Sequence, residues 1–143
     1  MHQFTVKKTL DVGITELWAL VSDFANLDWY EGPERVEREG EGPGMKRRIF
    51  MAGSDAPVEE QLLSIDHAAH RMEYAVLEGG MNIMRDYRVV AELQANGDTT
   101  QATWDAQFSG LTVDGVDPEM MVQVMSDTYA SMLGAMANAA RNA

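Results

Sequence analysis

Residues 117–141, DPEMMVQVMSDTYASMLGAMANAAR, decide how the rest of the chain is read. Asp117 suits an N-cap, Pro118 the first helical position, and Glu119 the positive end of a helix dipole. Met121, Val124, Met125, Thr128, Met132, Ala135 and Met136 then recur at helical spacing, which predicts one long amphipathic helix with this apolar face. Five of the chain's eleven methionines (Met120, Met121, Met125, Met132, Met136) fall in it, and methionine makes a flexible, polarizable wall.

Working back from this helix, nearly everything upstream reads as strand. Thr100–Ser109 carries Ala102, Trp104, Ala106 and Phe108 on one face, and Asn96-Gly97-Asp98 before it is a hairpin signal. Ile83–Leu93, Arg71–Leu77, Val58–Ile65 and Met45–Met51 are further strands, Pro33 restarts an extended chain, and Gly110–Val116 is a linker. Phe4–Leu10 is the first strand. Between it and Pro33, two short helices are expected: one capped by Thr15 with Leu17, Trp18, Leu20 and Val21 on its apolar face, and one capped by Asp23 carrying Phe24, Leu27 and Trp29. An antiparallel sheet with one apolar helix laid across it encloses a cavity wherever the sheet curves. The loop Gly53–Pro57 is expected at the mouth of that cavity.

Composition narrows the function. At 143 residues, 45% of them hydrophobic, the chain suits one domain with a sizeable core. A formal charge of −12 opposes nucleic-acid backbones and anionic membranes. No run approaches the ~18 apolar residues of a membrane span, so no stable membrane insertion is expected. The N-terminus lacks the regions of a signal peptide. The absence of cysteine removes disulfides, thiolate catalysis and Cys-ligated zinc, and fits a cytoplasmic setting. The only histidines, His2, His67 and His70, lie at the terminus and in an expected turn, away from any triad or metal set. No metal or cofactor is expected.

The order β-αα-β(6)-α resembles the helix-grip fold of the START / Bet v 1-like (SRPBCC) superfamily, and within it the polyketide cyclase/dehydrase and lipid-transport group. The residues that carry the resemblance are Thr15-Glu16-Leu17-Trp18-Ala19-Leu20-Val21-Ser22-Asp23-Phe24, Trp29 after them, and Gly44 opening a strand. Glu60 leads a strand ending Ile65-Asp66, followed by Arg71-Met72-Glu73-Tyr74. The resemblance spans nearly the whole chain. It implies an α+β fold in which a curved antiparallel sheet of about seven strands wraps a long C-terminal helix, with two short helices after the first strand. These motifs belong to the fold, and the fold serves carriers, receptors and ring-forming enzymes alike.

Strand alternation then selects the inward residues. In Ile83–Leu93, Tyr87, Val89, Ala91 and Leu93 share a parity with Ile83, and so does Arg85, so Arg85 is expected inside. Met72, Tyr74 and Val76 form a neighbouring set, as do Trp104, Ala106 and Phe108. Met45, Ile49 and Met51 put Arg47 inside, against the parity of Phe50. In Val58–Ile65 alternation leaves the parity open, and the resemblance favours Val58, Glu60 and Leu62 inward. The candidate ligand-binding set is therefore Glu60, Tyr74, Arg85, Tyr87, Trp104, Phe108, Met121, Met125 and Met132, with Arg47 as an addition.

A buried charge needs a partner, so Glu60 and Arg85 either meet a ligand or simply pair with each other. Two function classes follow. One is a binder or carrier of a small hydrophobic, lipid- or polyketide-like molecule, acting as monomer or homodimer. The other is a cyclase- or dehydratase-like enzyme with Glu60 or Tyr87 as acid/base and Arg85 polarizing a carbonyl. An interaction module that uses the fold without ligand is a third. A filled interior fits the third, whereas a deep closed cavity in which Glu60 and Tyr87 converge on one point, with Glu60 not saturated by Arg85, fits the enzyme.

Overall fold

A computed structural model describes residues 1–143. The chain runs β1 (His2–Leu10), α1 (Ile14–Ser22), β2 (Pro33–Glu39), β3 (Lys46–Met51), β4 (Val58–Asp66), β5 (Arg71–Val76), β6 (Met84–Arg85), β7 (Tyr87–Asn96), β8 (Thr99–Phe108), β9 (Gly110–Leu111) and α2 (Pro118–Arg141). Seven strands form one antiparallel sheet in the order β1-β8-β7-β5-β4-β3-β2, and β6 pairs with β9. α2 lies across the concave face, packing on β1 and α1. Arg141 Nη1 ties its end to the Asp11 carbonyl at 3.0 Å. This is the helix-grip architecture.

Two helix details differ from the sequence reading. α1 begins at Ile14 behind Gly13, which supplies no side-chain cap, so Thr15 lies inside the helix and caps nothing. The second short helix does not form. Residues 23–30 make successive turns, closed by Asn26 N to the Asp23 carbonyl and Tyr30 N to the Leu27 carbonyl. Asn26 Oδ1 accepts the Asp28 amide at 3.0 Å, a local bond that competes with helical pairing. Phe24 and Leu27 are buried all the same, so the apolar signal was sound and the helical inference from it was not.

α2 starts as its sequence dictates: Asp117 Oδ1 accepts the Glu119 amide at 3.0 Å, with Pro118 at the first position. Its apolar face is rotated from the expected one. Tyr129, Leu133, Met136, Ala137 and Ala140 are buried, Met121, Met125, Thr128 and Met132 are half-buried, and Val124 is 49% exposed.

The core continues onto β7 and β8, where Val89, Leu93, Ala102, Trp104, Ala106 and Phe108 are sealed from solvent. The hairpin between these strands turns through Gly97, at φ 62°, and Asp98. In β4 the register against β5 shifts between Leu62 and Ser64. That bulge explains why simple alternation fails there: Glu60 and Leu62 point inward before it, and the parity changes after it.

Candidate functional site

A cavity of about 200 Å³ lies between α2 and the sheet. One wall is α2, through Met121, Met125, Thr128, Tyr129 and Met132. The sheet contributes Ile49 and Met51 from β3, Val58 and Glu60 from β4, Tyr74 and Val76 from β5, and Tyr87 from β7. Leu27 and Tyr30 also line it, as do Met81, Asn82, Ile83 and Met84. The 77–84 segment is held by Asn82, whose Nδ2 donates to the carbonyls of Val76, Leu77 and Met84 while its Oδ1 accepts the Met84 amide. Gly80 packs so tightly on the neighbouring loop that a Cβ there would sit 1.8 Å from the Pro57 carbonyl oxygen, at a φ of 56°. The expected mouth loop, 53–57, is thus joined to the 79–83 segment at the cavity's edge.

The lining is mostly apolar, and its charged groups form one cluster. Arg47 and Glu60 face each other across β3 and β4, where they are register partners. Both are buried, at 7% and 9% exposure. Arg47 Nε and Nη2 stand 2.7 and 2.6 Å from Glu60 Oε1, and Nη1 donates to the Phe24 carbonyl. The guanidinium carbon lies 3.9 Å from the centre of the Phe24 ring and 5.3 Å from that of Tyr74. Glu60 Oε2 accepts no hydrogen bond from the chain and faces the cavity.

Three tyrosines complete the cluster. Tyr87 and Tyr129 share a hydrogen bond between their hydroxyls, and Tyr74 stands beside them. Burial raises the pKa of all three phenols well above the ordinary tyrosine range, and the Glu60 carboxylate adds to this. For Tyr74, Arg47 and contacts with Trp104 and Tyr129 pull the other way, only in part. The phenols therefore stay neutral and serve as hydrogen-bond donors and acceptors.

The structure brings together Glu60, Tyr74, Tyr87, Met121, Met125 and Met132 from the sequence-expected set, and adds Arg47. Trp104 instead lines a small adjoining void of about 20 Å³, which shares Leu27, Arg47, Tyr74 and Met132 as wall residues. Phe108 lies behind the cavity, packed edge-on against Tyr87 with ring centres 6.2 Å apart.

Arg85 is the clear correction: it is exposed, while Met84 beside it is buried. The expected strand is broken at Asp86, which adopts a left-handed φ of 51°. Asp86 Oδ2 accepts a hydrogen bond from Ser109 Oγ at 2.6 Å, across the matching break between β8 and β9. One irregular residue reverses the parity of everything before it. Glu60 therefore has Arg47, and not Arg85, as its partner.

Tyr129, Asn82, Tyr30 and Leu27 are lining residues that the sequence reading missed. Only Tyr129 carried a usable signal, four residues from both Met125 and Leu133. His67 is engaged elsewhere, its Nδ1 accepting the Trp18 indole N–H at 3.1 Å. A larger hollow of about 660 Å³ lies outside, lined by Asp23, Asp28, Glu34, Arg35 and Arg38 among others, and is polar and open to solvent. The cavity beneath α2 differs in being lined mostly by apolar side chains.

Known proteins place this geometry. The structure resembles that of Ara h 8.0201 with a TM-score of 0.81 and 19% identity, covering 99% of each chain. XoxI from Bacillus cereus aligns with a TM-score of 0.82 and 16% identity, over 97% of this chain and 95% of that one. A solution structure from Thermobifida fusca aligns with a TM-score of 0.80 and 23% identity, over 98% and 93%. No curated protein matches the sequence. No helix is long and apolar enough to cross a membrane. The model of the family described as polyketide cyclase / dehydrase and lipid transport matches residues 1–141, and the chain therefore belongs to that family.

Proposed function

We propose that this protein binds or carries a small, largely apolar molecule in the cavity between α2 and the sheet. The observation that supports this reading is the lining itself: methionines and aliphatic side chains on most sides, and one group of convergent polar atoms formed by Glu60, Arg47 and the three tyrosines. Its volume of about 200 Å³ exceeds the ~150 Å³ that accommodates benzene in a dry engineered cavity. It lies below the ~300–1,000 Å³ of sites for drug-sized ligands. A single substituted ring fits these limits, and flexible Met121, Met125 and Met132 give the wall room to adapt.

The test is native mass spectrometry of protein purified from its source organism, alongside a Met125→Trp variant that fills the cavity. A retained small molecule that the variant loses supports the reading. Absence of any retained molecule, together with no binding of apolar aromatic compounds in solution, defeats it.

A cyclase- or dehydratase-like activity is the second reading, favoured by one observation: Glu60 Oε2 is unengaged at the cavity surface and available as a base. Tyr87 is then restricted to donating a hydrogen bond, since its phenol stays protonated. The carbonyl-polarizing role passes from Arg85 to the tyrosine hydroxyls. Glu60→Gln abolishing turnover of a poly-β-ketone, while its binding persists, is the result that favours this reading.

A further inference from the structure

The cavity contains an arginine, yet it does not offer a free cation. Arg47 is committed on every side: Nε and Nη2 to Glu60 Oε1, Nη1 to the Phe24 carbonyl, and its faces to the Phe24 and Tyr74 rings. A ligand anion would have to displace a carboxylate of the protein itself. It would also meet Glu60 Oε2, an acceptor with no partner in the chain. The net charge of −12 opposes an anion during approach. A ligand ammonium group would suit Oε2 but would sit beside the buried guanidinium, where a second desolvated cation is costly.

The tyrosine pair adds the remaining requirement. One hydroxyl of Tyr87 and Tyr129 donates to the other, so the acceptor's own proton is left over for a further partner. The same cavity is therefore lined by a carboxylate oxygen without a partner in the chain and by a neutral donor. A hydroxyl group answers both, donating to Glu60 Oε2 while accepting from a tyrosine.

We infer that the site selects uncharged hydroxylated ligands, phenol-like at their polar end, and rejects carboxylic acids, fatty acids among them, at neutral pH. This rests on the proposal that the cavity is a binding site, and it names the ligand class. Glu60 is the residue that determines the selection, and Arg47 orients it through Oε1.

The experiment is calorimetric titration of the full chain at pH 7.5 with four probes of one ring size: 4-ethylphenol, ethylbenzene, 4-ethylbenzoate and 4-ethylbenzylamine. 4-Ethylphenol is expected to bind at least about tenfold more tightly than ethylbenzene, as a hydrogen bond to a charged acceptor allows, with the benzoate and the amine weaker than ethylbenzene. The double variant Arg47→Met/Glu60→Met is expected to bind ethylbenzene and lose the preference for the phenol. Benzoate or amine binding as tightly as the phenol, or a preference that survives in the double variant, overturns this inference and leaves the binding proposal standing. Failure of all four probes to bind defeats both. The wild-type titrations decide the matter by themselves should the double variant not fold.

Discussion

Arg47 and Glu60 illustrate how a buried ion pair is held. They are directly opposed on adjacent strands, so the sheet fixes their separation before any side chain is placed. The guanidinium gains a carboxylate oxygen, a backbone carbonyl and two aromatic faces in exchange for its hydration. Such a pair adds little net stability compared with apolar residues of the same size, but breaking it leaves an uncompensated charge. Arg47→Met alone is expected to destabilise the protein by about 3–5 kcal/mol, since Glu60 is then buried without its partner. Arg47→Met/Glu60→Met is expected to cost much less than the sum of the single changes, or nothing. Denaturant melts of the three variants check this. Additive losses would mean the two side chains do not act as a unit.

At the scale of the element, α2 shows how far spacing can be trusted. A helical stripe is broad, and reading it through Val124 and Thr128 instead of Tyr129 and Leu133 rotates the face by part of a turn. The packed face is the one that meets β1 and α1. Val124→Ser is therefore expected to leave the unfolding free energy within about 0.5 kcal/mol of the parent, as for other surface changes. Leu133→Ala is expected to cost about 2–5 kcal/mol, because Leu133 is only 1% exposed and its removal leaves a hole in the core. Equal effects of the two changes would show the face to be wrongly assigned. The break at Asp86 is the corresponding lesson for strands. Asp tolerates a left-handed backbone better than most residues and is poorly suited to a strand interior, so it is where the alternation stops.

For the whole molecule, the buried tyrosines link the cavity to stability. Tyr74, Tyr87 and Tyr129 have folded-state values raised above those of the unfolded chain. As pH rises past about 10, the unfolded chain loses phenolic protons that the native protein retains. Ionisation then favours unfolding, so the stability these groups contribute is intact below pH 10 and declines above it. The melting temperature is expected to be insensitive to these tyrosines from pH 7 to 9 and to fall steeply above 10. Phenolate absorbance should appear for them only as the protein unfolds. Absorbance of all four tyrosines developing near pH 10 in still-folded protein would contradict this assignment.

The amino-acid sequence by itself determined the order of the main strands and of α1 and α2, though not the turns that replace a second short helix or the pairing of β6 with β9. Asp117-Pro118-Glu119 sets the start of α2, Gly97-Asp98 turns the hairpin, and alternation along β5, β7 and β8 chooses their inner faces. These are local properties, since caps, turns and the two-residue period act within a few residues. It also nominated Tyr74, Tyr87 and the three α2 methionines, because each lies on a regular stretch of its element, whereas Glu60 came from the family resemblance, alternation having left its strand open. Only the tertiary structure decided which charge meets which. Arg47 and Arg85 both looked inward by alternation. A single left-handed residue, stabilised by a contact from Ser109 twenty-three positions away, turned Arg85 to solvent and left Arg47 as Glu60's partner. The same holds for Leu27, Tyr30 and Asn82, which reach the cavity from irregular segments positioned by long-range contacts that no local pattern records.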